Sequence, residues 1–248
     1  GGEFVAAEGG KTYPTINPWN GEPVAQIPKA SVNDAKKAIA AARKAFDEGP
    51  WPRMTGEERS VLLAKVAAIM KERQKEFAAL ESKDSGGTIA KCGADAFLAQ
   101  RQMAYFAEMA KHYNAEAKEI PGMSRPGRSF NYTIREPIGV CASIIPWNFP
   151  YLMAVWKLGP ALATGNTIIL KPASDTPVTA LELAKVFDQV GFPKGPQSPQ
   201  LGEHLLAVTR VRCGASGTRQ QALEGHHCFI DARELDRGIQ EATPLVVG

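Results

Sequence analysis

Only four cysteines occur in 248 residues (Cys92, Cys141, Cys213 and Cys228), and none stands in a CxxC pair or at metal-ligand spacing. That leaves no basis for a disulfide framework or a metal site. It fits free thiols in a reducing, cytoplasmic compartment. Long apolar runs are also lacking, since none reaches the roughly 18 residues that span a bilayer. The first residues, GGEFVAAEGG, have neither the basic nor the apolar region of a secretion signal. They also lack an initiating Met, as in a fragment or a processed chain. Charge of one sign is scarce too. Lys and Arg number 29 against 26 Asp and Glu, a formal net charge of +3. Neither a nucleic-acid nor a membrane-surface partner is expected from that balance. No internal repeat and no GxGxxG loop occurs.

What is present reads as a globular α/β chain, with 44% hydrophobic and 22% charged residues. INPWNGEPVAQIP places short apolar runs on either side of Asn20-Gly21, the pattern of an extended arm with a turn. A helix is predicted from about Ser31, with Asp34 completing a capping box and Ala35, Ile39, Ala42 and Phe46 on one face. A second is predicted from Thr55 with Glu58 as its partner, running through Leu62, Val66, Ile69, Phe77 and Leu80 to Gly86-Gly87. A third spans about Ile89–Tyr113, with Phe97, Phe106, Met109 and Tyr113 inward. After a turn-rich linker (121–127), Phe130, Tyr132 and Ile134 alternate as in a half-exposed strand. The character then changes. IGVCASII (138–145) is a continuous apolar run, the mark of a strand buried on both faces. A helix (151–163), a second buried strand TIIL (167–170) and a helix (177–190) follow. Strand, helix, strand, helix implies a parallel sheet with a right-handed crossover, a Rossmann-like arrangement. Beyond Gly195 no period persists, apart from a short helical stretch near 234–242.

Two loops follow the two buried strands, and ligands of open α/β sheets bind beyond the carboxyl ends of strands. Pro146-Trp147-Asn148 leaves the first and Lys171-Pro172-Ala173-Ser174 the second. An Asn amide stabilises a developing oxyanion without titrating. A Lys offers a compact cation with three donors for ribose hydroxyls or a phosphate, and Ser174 adds a hydroxyl beside it. Taken singly, an Asn after a strand is usually a turn residue and a Lys is usually solvated. Phe149, Met153 and Trp156 share one helix face, where plain core packing is an equal alternative.

IPWNFP, KLGPALATGN and KPASDTP, in order and without gaps, resemble the NAD(P)-dependent aldehyde dehydrogenase family. NPWNGEPVAQIPKAS and the helices after it resemble that family's amino-terminal arm, so the likeness covers about residues 13–195. It implies oxidation of an aldehyde to a carboxylic acid by thiolate attack, hydride transfer and thioester hydrolysis. On that likeness Asn148 is the oxyanion amide. Ile144, Ile145, Pro146 and Trp147 contact the dinucleotide, and Lys171 holds the adenosine ribose. Ser174 stands where many NAD enzymes carry Glu, which leaves room for NADP as well as NAD. Phe149, Met153 and Trp156 line the aldehyde tunnel. The likeness also implies four segments: arm and helices (1–120), bridging strands (121–137), the Rossmann-like βαβα part (138–195) and an atypical tail (196–248). The bridging strands imply a homo-oligomer, dimer or tetramer, in the full-length form.

The chain also departs from the family. The nucleophile's FxNxGQxC setting, the general base's ELGG setting and the FTGS motif are missing from it. Cys141 falls within the first buried strand, where a thiol is inert core. RGIQEATPLV near the end resembles the family again, the pattern left by a reading-frame slip that later corrects itself. These departures predict a truncated chain inactive alone, a poorly ordered tail, and a sheet with an unpaired edge. The alternative expectation is a non-catalytic remnant that associates with full-length relatives.

Overall fold

Short-range chemistry fixes most of the elements. The computed structural model describes residues 5–113, 116–118, 131–192 and 230–231. The expected linker and Phe130, the helix near 234–242, and nearly all of the tail lie outside the described residues. The arm is a hairpin of β1 (Thr12–Ile16) and β2 (Pro23–Pro28), antiparallel with Tyr13 opposite Ile27. Gly21, at φ +74°, makes its turn. Helix α1 (Val32–Glu48) opens on a capping box: the Asp34 amide donates to Ser31 Oγ at 3.1 Å and the Ser31 amide to Asp34 Oδ2 at 2.7 Å. Helix α2 (Gly56–Glu72) opens on the matching box of Thr55 and Glu58.

Two expectations for the helices need correction. The run from Thr55 to Gly86 is two helices, because the backbone leaves helical geometry at Arg73 before α3 (Gln74–Ser85). There the Arg73 guanidinium pairs with Glu76 and, at 2.6 Å, with the distant Glu182. In α4 (Ile89–His112), Phe97 faces outward at 44% exposure, while the buried face is Ala96, Ala99, Met103, Ala107 and Ala110. This helix packs against α2, α3 and a later helix at once, so small side chains take the crowded face.

Strand β3 (Glu116–Lys118) pairs antiparallel with β4 (Asn131–Thr133), and Tyr132 and Ile134 are exposed. The buried run is β5 (Val140–Ile144), shorter than its apolar sequence because Ile138 is 82% exposed. Helix α5 (Pro150–Ala163) leads to β6 (Thr167–Lys171), parallel to β5, and then to α6 (Val178–Gln189). One face of the strand pair packs on α1 through Ala42, Val140 and Ile169, and the other joins the main core through Cys141, Ile168 and Leu170. Burial on both faces is what the unbroken apolar runs required. Where α4 meets α5, a Cβ on Gly159 would stand 2.3 Å from the Phe106 ring, so only glycine allows the approach. On the far side of β5, β7 (Ile230–Asp231) pairs antiparallel over two residues, so that among the described strands β6 stands at the other end of the sheet.

Candidate functional site

The parallel ladder brings the two loops together. Ile144 lies opposite Lys171, and the Ile145 amide donates to the Lys171 carbonyl at 3.0 Å. The 146–149 and 172–177 segments therefore leave one sheet edge side by side, as the order of motifs predicts.

In the first loop Trp147 is 63% exposed, and Pro146 and Asn148 are also exposed. Lys91 Nζ on α4 donates to the Asn148 carbonyl at 3.0 Å and to Asp95 at 2.7 Å, and lies 4.3 Å from the Phe149 ring centroid. A cation from another helix thus clamps the backbone that presents the candidate oxyanion amide. Ile144 is exposed, but Ile145 is turned inward and 2% exposed, so it has only its backbone to offer a dinucleotide. Phe149 and Trp156 are part exposed, whereas Met153 packs against the core.

In the second loop Lys171 is half-buried, its Nζ 3.4 Å from the Pro172 carbonyl. Ser174 is half-buried and its carbonyl accepts the Tyr13 hydroxyl at 3.1 Å. The arm therefore closes over this edge. A cavity of about 360 Å³ opens here, lined by Tyr13, Thr15, Asp84, Trp147, Ser174 and Asp175 among others.

Tyr13, Lys91 and the two buried carboxylates of α3 carry no signal in the sequence, each a lone residue with no local motif. Glu81 Oε1 accepts the Tyr151 amide at 3.1 Å and Oε2 the Thr179 hydroxyl at 2.6 Å. Asp84 Oδ2 accepts the Val178 amide at 2.9 Å. Burial raises Glu81 to about 7, against the hydrogen bonds from Thr179 and Tyr151, and raises Asp84 to about 6, against the one from Val178. Burial also pushes the Cys92 thiol up, and Cys141 is buried in β5, so neither described cysteine is an activated nucleophile. Among the described residues no cluster of His, Cys, Asp and Glu could hold a metal, and no helix is long and apolar enough to cross a membrane.

A lysine, a hydroxyl and an exposed indole at one strand edge suit a dinucleotide's ribose and planar rings. Comparison with known proteins shows the family. The profile of the Aldehyde dehydrogenase family matches residues 4–205, about ten residues further than the motifs alone reach. The chain is 44% identical over 227 residues to aldehyde dehydrogenase family 2 member B4, mitochondrial, of Arabidopsis thaliana, covering 91% of this chain and 39% of that protein. It is 42% identical over 246 residues to the cytosolic 10-formyltetrahydrofolate dehydrogenase of Xenopus tropicalis, covering 98% and 25%. The crystal structure of betaine aldehyde dehydrogenase from Staphylococcus aureus in complex with NAD+ superposes with a TM-score of 0.73 at 35% identity, covering 79% of this chain and 38% of that one. The chain thus spans less than half the length of these relatives.

Proposed function

The chain belongs to the aldehyde dehydrogenase family, and on that premise we propose that it carries the dinucleotide-binding edge and the oxyanion amide of an aldehyde-oxidising enzyme. The observation that carries this reading is the pairing of Ile144 with Lys171, which sets the Asn148 and Lys171 loops beside one another. Lys171 and Ser174 would hold the adenosine ribose, and Trp147, Ile144 and the backbone at Ile145 and Pro146 the remainder. When bound, the nicotinamide accepts the hydride that leaves the aldehyde carbon. Asn148 would donate its amide N–H groups to the carbonyl oxygen as charge develops there. Phe149 and Trp156 present apolar surface to the aldehyde, with Met153 supporting them from the core side.

Ser174 leaves room for a 2′-phosphate, but Asp84 and Asp175 line the same cavity and favour hydroxyls over phosphate. We therefore expect NAD to bind more tightly than NADP, with both admitted. Since the chain has no cysteine in the family's nucleophile setting, it is expected to bind dinucleotide without turning over aldehyde. Calorimetric titration with NAD+ and NADP+, with an assay for reduced nicotinamide in the presence of aldehyde, tests both statements. Absence of binding overturns the cofactor assignment, and turnover overturns the inactivity. Buried free thiols at Cys92 and Cys141 support a cytoplasmic setting.

A second reading, association with full-length relatives, draws on the exposed Tyr132, Ile134 and Ile138 at and after β4. Co-purification with a full-length family member would support it, and a strictly monomeric chain would count against it.

A further inference from the structure

One carboxylate bridges the starts of the two helices that follow the loops of the candidate site. Glu81 is 1% exposed in α3. Its Oε1 accepts the amide of Tyr151, in the first turn of α5, at 3.1 Å. Its Oε2 accepts the hydroxyl of Thr179, in the first turn of α6, at 2.6 Å. Helix α5 starts directly after the 146–149 loop and α6 directly after the 172–177 loop. The starts of two helices, each the positive end of a dipole, therefore converge on one side chain. One turn further on, Asp84 takes the Val178 amide and braces α6 alone.

Packing by itself does not call for a carboxylate at this position. Phe77 and Tyr151 stack beside it with centroids 4.5 Å apart, and an apolar side chain of similar volume would avoid the desolvation that raises Glu81 to about 7. What a carboxylate adds is a rigid fork of two acceptor oxygens, which can set the distance between two separate donors.

We propose that Glu81 is a positioning residue for the dinucleotide site, fixing through Tyr151 and Thr179 the spacing between the Trp147–Asn148 loop and the Lys171–Ser174 loop. The proposal rests on the reading of this edge as a dinucleotide site.

The test uses the full chain, unaltered and as Glu81→Ala, Glu81→Gln and Thr179→Val, with NAD+ affinity by calorimetry and backbone hydrogen exchange. Glu81→Ala should weaken NAD+ about tenfold, the scale of one charged hydrogen bond. It should also speed exchange at Tyr151 and through both loops. Glu81→Gln keeps an acceptor for Tyr151 and a donor that Thr179 can accept, so it should restore affinity and exchange to near the unaltered values. Thr179→Val releases only the second loop and should weaken binding about threefold, a fraction of the same hydrogen-bond scale. A folded Glu81→Ala chain with unchanged affinity and exchange overturns the proposal. If that variant does not fold, unchanged affinity in Thr179→Val overturns it instead. Failure of the unaltered chain to bind NAD+ overturns the dinucleotide reading, and the exchange data then still decide whether Glu81 holds the loops.

Discussion

The loop after β5 and the loop after β6 leave neighbouring strands at the same edge, yet they are built and anchored differently. The first is exposed and aromatic, and its outside anchor is a cation, Lys91, reaching from α4 to the Asn148 carbonyl. The second is polar and half-buried, held by a phenol from the arm at Ser174 and by Asp84 beneath the start of α6. An exposed indole and an amide suit a planar ring and a developing charge, whereas a lysine among hydroxyls suits a sugar. The proposed division of labour matches what each loop is fastened to.

Four measurements would break or sharpen this contrast. The largest effect concerns pH. Glu81 and Asp84 stand at about 7 and about 6, above their ordinary 4.5 and 3.8, so the folded chain holds those protons more tightly than the unfolded one. The stability they contribute is complete below the ordinary values and is lost as pH rises through about 6 and about 7. Urea unfolding should therefore show a loss on the order of 4 kcal/mol between about pH 5 and about pH 8, and Glu81→Gln should remove the larger part of it and leave the share of Asp84. Asp34 and Glu76 have carboxyls held below the ordinary range by hydrogen bonds from their partners, despite some desolvation, and they titrate beneath this window.

Next, Lys171→Ala should weaken NAD+ about tenfold in calorimetry while Asn148→Ala leaves it within about twofold, because the amide acts on the reacting oxygen rather than the cofactor. Equal losses from both would erase the distinction between the loops. Tyr13→Phe should cost about 1 kcal/mol, the scale of one hydrogen bond, and loosen only residues 172–177 in hydrogen exchange. Lys91→Met should cost about 0.5 kcal/mol, as a partly exposed pair does, and loosen only residues 146–149. Crossed effects in the last two would mean that the anchors are shared.

The parts of this molecule legible in the sequence are those set by neighbours along the chain. Ser31 with Asp34 and Thr55 with Glu58 announce their helices because cap chemistry spans one turn. The unbroken apolar runs at β5 and β6 announce burial on both faces, and strand order alone then puts Asn148 and Lys171 at one edge. The break at Arg73 and the outward turn of Phe97 were not legible, since Glu182 and the crowding around α4 lie far off in sequence. Nor was the inward turn of Ile145, or the bonds that Tyr13, Lys91 and Glu81 make to the two loops and the helices after them, because a side chain acting across the fold leaves no periodic trace.

The bond from Tyr13 to Ser174 joins residues 161 apart. During synthesis the arm emerges first, but its phenol must wait for the β6 loop before it has an acceptor. Closing so long a segment adds to the entropic cost and slows folding. We therefore expect this sheet edge to mature after the helical layer. Shortening the arm, or burdening it with an added tag, should leave the helical layer to assemble normally while delaying the appearance of a competent edge.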